Sequence, residues 1–196
     1  PHPARQRTLT LFSSDGGKTW PQLRAVADGS AEGTVYWDAS IIKLEDARLF
    51  ALLWTRNLKS DQDLPIHRTI SEDGGNTWSK PESTGIKGHT MAPVNLGDGR
   101  ILTVYTLRDA ERPGIYAVLS EDNGQTWDLT NQLMIWDAAG QANVGIAPTR
   151  RCLADMATYA FGKPHAVLRS GGDILASFWC TQACVTHIRW CRLRVK

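Results

Sequence analysis

The octapeptide SEDGGNTW at 71–78 has two close copies, SSDGGKTW at 13–20 and SEDNGQTW at 120–127. Each keeps Ser, Asp, Gly, Thr and Trp at fixed offsets: Ser71, Asp73, Gly75, Thr77 and Trp78 in the second copy. A word that returns at intervals of roughly 50 residues marks a repeat architecture, one supersecondary unit per period. Its composition is that of a tight turn. Asp folds back on nearby backbone N–H groups, Gly takes positive φ without a Cβ clash, and Ser and Thr cap the same turn. Trp supplies a large apolar anchor at the base of the unit. A strand-like run such as IYAVLS at 115–120 precedes the word, which therefore reads as a hairpin turn between two strands. The aspartates of the word are accordingly structural.

A second pattern supplies the rest of the unit. SIIKLEDARLFALLWTR (40–56), APVNLGDGRILTVYTLR (92–108) and HAVLRSGGDILASFWC (165–180) each join a short apolar strand to a longer one through a tight Asp-containing turn. A third strand follows at 66–71, 115–120 and 187–195, and the first two of these run into the word and a fourth strand. The unit is a four-stranded antiparallel sheet, which is the blade of an all-β propeller. The pattern predicts a single partial propeller over 1–196: the end of one blade at 7–27, blades at 36–86 and 90–137, and three strands of a last blade at 164–195. The only helical candidate, RRCLADMATY at 151–160, reads equally as loop. About three and a half blades leave a ring open, and propellers protect their strand edges by closing. A missing N-terminal half, a second chain or another copy is expected to complete it.

Composition narrows the function classes. The 196 residues suffice for one sizeable core. With 22 Lys and Arg against 20 Asp and Glu, the net charge of +2 argues against nucleic acid as the main partner. No apolar run reaches the length of a membrane-spanning helix. The opening PHPARQRTLT lacks the pattern of a signal peptide and reads as mid-protein, and no glycosylation sequon gives a compartment. Cys152, Cys180, Cys184 and Cys191 are the cysteines; Cys180 and Cys184 lie near His187, but their spacing fits no standard zinc pattern. Buried free thiols or one disulfide are expected, with no metal and no cofactor.

The three words match the Asp-box, or BNR, repeat. With the hairpins they make this chain resemble the C-terminal half of the sialidase superfamily of six-bladed β-propellers. The resemblance implies a site at the propeller centre: three arginines that clamp a carboxylate, a tyrosine nucleophile paired with a glutamate, and an aspartate acid/base. Arginine forks bind carboxylates through paired hydrogen bonds. A neutral tyrosine hydroxyl suits attack beside an anionic anomeric centre, the known exception to carboxylate nucleophiles.

On this sequence the resemblance implies the following roles. Asp38 in WDASIIKL takes the glutamate slot, one methylene shorter. Arg56 in LLWTRN takes the second arginine. Arg112 in ERPGIYAVLS takes the third, with Arg108 as the alternative. The tyrosine slot falls in FGKPHAVL, where Lys163, Pro164 or His165 stands, and Tyr159 lies upstream. The first arginine and the acid/base aspartate belong to earlier blades. The clamp is thus partly kept and the nucleophile replaced, and His165 is a candidate base in that slot. His89 precedes the first strand of its blade, where axial loops enter. Tyr116 and Trp54 sit near the same strand ends, where they either stack on a sugar ring or pack in the sheet. The expected function is a sialidase-like exo-glycoside hydrolase acting on an acidic or polar terminal sugar of a glycan or glycoconjugate. The alternative is a non-catalytic carbohydrate-binding or scaffold propeller.

Overall fold

A computed structural model describes residues 6–108, 110–139, 160–183 and 185–195. Its described residues form four antiparallel sheets. Strands β1 (Arg7–Phe12) and β2 (Gln22–Asp28) make a two-stranded sheet. The next sheet runs β3 (Thr34–Lys43), β4 (Leu49–Asn57), β5 (Gln62–Ser71) and β6 (Glu82–Ser83) in spatial order. Strands β7 (Met91–Gly97), β8 (Arg100–Leu107), β9 (Gly114–Ser120) and β10 (Leu133–Asp137) repeat that order. Strands β11 (Phe161–Leu168), β12 (Ile174–Gln182) and β13 (Val185–Leu193) form a three-stranded sheet. Residues 151–159 of the helical candidate, Tyr159 and Cys152 among them, lie outside the described residues, as does Cys184. Cys180 and Cys191 are free thiols.

The strand patterns follow from what covers each face. The run LFALLWTR in β4 is apolar nearly throughout because sheets stack on both sides of it, and it is buried along most of its length. Strand β1 alternates instead, and Leu9 and Leu11 face outward. Three apolar clusters fill the gaps between successive sheets. Val26 and Ala27 of β2 meet Ala51 and Leu53 of β4. Phe50, Leu52 and Ile66 meet Ile101 and Tyr105 across the next gap. Val104, Ile115 and Trp136 meet Phe161, Ile174 and Phe178 across the last. Each fully buried side chain of this size contributes about 1.5–3 kcal/mol.

Hairpin register gives each sheet two distinct ends. At one, Lys43 pairs with Leu49 and Leu49 with Ser71, where the repeated word begins. At the other, Thr34 pairs with Asn57 and Asn57 with Gln62. The words therefore share one end, and the starts of β3, β7 and β11 share the opposite end, called here the mouth. Strands β3 and β11 both pack against β7.

The word folds as its composition requires. Asp73 Oδ1 accepts from the Thr77 backbone N–H at 2.9 Å and from Ser71 Oγ at 2.8 Å, and Oδ2 accepts from Thr77 Oγ1 at 2.6 Å. Gly75 N–H donates to Ser71 Oγ at 2.7 Å. Asp15 and Asp122 repeat these bonds. Gly124 has φ 79°, and a Cβ there would overlap the Phe50 ring. The anchoring role expected of Trp holds unevenly. Trp127 is buried, whereas Trp20 is 54% exposed, because no further sheet packs outside β1 and β2 among the described residues.

Candidate functional site at the mouth

The mouth is organised by two bulges. The β3–β4 register slips between Trp37 and Ser40, and the β11–β12 register slips between Gly162 and His165. A bulge leaves residues unpaired and re-aims their side chains. Asp38 stands in the first with φ 42°, and Lys163 in the second with φ 38°. Both are non-glycine residues in the left-handed region, at a cost of about 1–3 kcal/mol each. Lys163 also precedes Pro164, and a residue there ordinarily stays extended. The two bulged side chains meet: Lys163 Nζ donates to Asp38 Oδ1 at 2.8 Å, bridging 125 residues of sequence. The pair is open to solvent, with Lys163 56% and Asp38 32% exposed.

A second group lies beside it. Trp37 pairs with Trp54 across β3 and β4, their rings edge to face at 5.1 Å. Trp54 packs edge-on against His89 at 5.3 Å. Asp63 ties this group together. Its carboxylate accepts from Trp54 Nε1 at 2.7 Å and from Arg56 Nη1 at 3.0 Å, and His89 Nε2 stands 3.5 Å away. Arg56 Nη2 donates to Asp61 Oδ1 at 2.7 Å. Burial works to raise the Asp63 carboxyl, but His89, Trp54 and Arg56 outweigh it and hold it below the usual value.

The remaining candidates are spread along the same end. Arg108 Nη2 donates to the Phe161 carbonyl at 3.2 Å, and its guanidinium lies where a Cβ at 162 would stand. Arg112 pairs with Asp137 at 2.8 Å, on the exposed rim. The Tyr116 hydroxyl donates to the Arg112 carbonyl at 2.7 Å, and its ring stacks on Tyr105. Burial raises the Tyr116 phenol above its ordinary value. His165 is exposed on β11 opposite Ser177. Thus the structure joins Arg56 with His89 through Asp63, and Arg112 with Tyr116. It sets Lys163, rather than His165, against Asp38. Asp63 was not singled out from the sequence, where it sits in SDQDLP and looks like an ordinary turn acid.

Residues 2–145 match the family model described as a BNR repeat-like domain. The chain belongs to this family. Its fold is the sialidase-like BNR fold, an all-β assembly with propeller-type structural neighbours. A protein of unknown function from Dyadobacter fermentans DSM 18053 is 26% identical with a TM-score of 0.67, over 95% of this chain and 45% of that one. The Penicillium chrysogenum α-L-arabinanase complexed with arabinobiose is 14% identical with a TM-score of 0.64, over 98% of this chain and 55% of that one. The Hadza microbial sialidase Hz136 is 13% identical with a TM-score of 0.59, over 96% and 38%. This BNR repeat-like chain therefore spans about half the length of such neighbours, or less. No curated protein matches it.

Proposed function

We propose that this chain supplies about three and a half blades of a six-bladed propeller whose mouth works as a sialidase-like exo-glycoside hydrolase on an acidic or polar terminal sugar. The observation that carries the reading is the Asp38–Lys163 pair. Two strained backbone positions on separate sheets converge on one solvent-open carboxylate, and strain of this kind collects at functional sites. Asp38 serves as acid/base or assists the nucleophile, as expected of its slot. Arg56 and His89 are buried around Asp63, Arg108 is tucked against Phe161, and Arg112 stands on the exposed rim. The half-propeller reading draws support from the two end sheets. Leu9, Leu11 and Leu23 are exposed on one, and Ile188 and Trp190 on the other. Neighbours named as a sialidase and an α-L-arabinanase favour glycoside chemistry, although a fold alone does not fix a reaction.

A second reading, a propeller that binds carbohydrate without cleaving it, is favoured by one observation: the slot of the tyrosine nucleophile holds Lys163 beside Asp38. Asp38→Asn in the full-length protein separates the two. Hydrolysis of a panel of aryl glycosides, followed by the released phenol, is expected to fall with this change. Turnover at the wild-type rate would remove Asp38 from the chemistry. Binding of glycans without cleavage of any panel member would establish the second reading.

A further inference from the structure

We infer that the mouth selects a neutral, polyhydroxylated sugar over a carboxylated one; this rests on the sugar-binding reading above and narrows its substrate class. Arg56, Arg108, Arg112 and Lys163 each already have an acid or a carbonyl in hydrogen-bond reach. Arg56 holds Asp61 at 2.7 Å and Asp63 at 3.0 Å. Arg112 holds Asp137 and Lys163 holds Asp38, both at 2.8 Å. Arg108 donates to the Phe161 carbonyl. The acids Asp38, Asp61, Asp63 and Asp137 balance the bases Arg56, Arg108, Arg112 and Lys163 charge for charge. A cleft draws anions by focusing an excess of positive charge, and these groups supply none.

Local geometry points the same way. A ligand carboxylate approaching Arg56 would stand against Asp61 and Asp63, both already on that guanidinium. The Asp63 side chain is only 20% exposed, so its charge is little screened and repels a second anion. At Lys163 an incoming carboxylate would sit against Asp38 and meet the same repulsion. A sugar hydroxyl meets no such conflict. It donates to Asp38 and accepts from Lys163, and both bonds are charge-assisted. Two vicinal hydroxyls match an ion pair whose nitrogen and oxygen stand 2.8 Å apart.

The test uses ligand pairs that differ by a carboxylate: methyl glucoside against methyl glucuronide, methyl galactoside against methyl galacturonide, with methyl N-acetylneuraminide added. Binding to the full-length protein is read by saturation-transfer NMR and calorimetry at low and high NaCl. The neutral member of a bound pair is expected to bind about tenfold tighter, with little dependence on salt. Asp38→Asn releases Lys163 from its acid and should raise affinity for the acidic member by about fivefold or more. Adding Lys163→Met should cancel that gain. A wild-type preference for the acidic member that weakens with salt overturns the inference and leaves the sugar-binding reading standing. Asp38→Asn with unchanged acidic affinity also overturns it. If no probe of either kind binds, the sugar-binding reading itself fails and the inference falls with it.

Discussion

Removing the Asp63 carboxylate should be among the most damaging single changes at the mouth. Asp63→Ala takes away the acceptor of Trp54 Nε1 and one of the two acids on Arg56. Arg56 has a side chain only 8% exposed, and its remaining acid partner, Asp61, is 59% exposed. Breaking a buried charge pair from one side costs about 3–5 kcal/mol. Asp63 keeps some solvent contact and Asp61 still holds Arg56, so the lower bound applies, about 3 kcal/mol. Asp63→Asn keeps an acceptor oxygen for one donor and loses the charge, and should cost about 1–2 kcal/mol. For a domain of this size the alanine change corresponds to a melting point lower by about 6–12 °C. The sign with pH follows from the depressed carboxyl. Asp63 contributes stability that is present above its unfolded value, about 3.9, and is lost as pH falls through its lower folded value. Urea titrations of wild type and both variants, at neutral pH and near pH 3, measure this. A neutral-pH loss within about 0.5 kcal/mol for Asp63→Ala would refute the hub, as would a wild-type advantage over Asp63→Asn that fails to shrink in acid.

Other changes probe the scaffold and its end faces. Gly124→Ala combines a positive φ with overlap on Phe50 and should cost about 2–4 kcal/mol; Gly16→Ala, at φ 73° with open space around it, should cost about 1 kcal/mol, and equal urea midpoints for the two would contradict the packing argument. Thr77 and Ser71 hold the Asp73 carboxyl down at about 2, so carbon-detected NMR should show it titrating there, with the turn intact at pH 4; titration at the ordinary value of about 3.9 would mean the turn is not formed as described. Trp190→Lys should destabilise the full-length protein by about 3 kcal/mol or more if a further sheet covers this face, whereas a change within about 0.5 kcal/mol would mean that Trp190 remains as exposed as it is among the described residues.

The sheets were legible because their signals are local. The word carries its own hydrogen-bond partners within a few residues, as Asp73 with Ser71 and Thr77 shows, and the strands on either side read directly from apolar runs. Trp20 departs from its copies because exposure depends on what packs outside the sheet, which an octapeptide does not encode. The site was less legible for the same reason. Asp38 came from its slot in the family pattern, but its partner lies 125 residues away. Neither bulge has a sequence signature: Asp38 and Lys163 take left-handed backbone without being glycine. Asp63 resembles any turn acid until the β4–β5 register sets it opposite Arg56.

The central claim is that a terminal sugar seats on the Asp38–Lys163 pair. A crystal structure of the full-length protein with the tightest-binding glycoside of the panel tests it most directly. The account predicts sugar hydroxyls within hydrogen-bond distance of Asp38 Oδ1 or Oδ2 and of Lys163 Nζ, with Trp37 or His89 alongside. A sugar bound elsewhere while this pair stays closed to it would contradict the account.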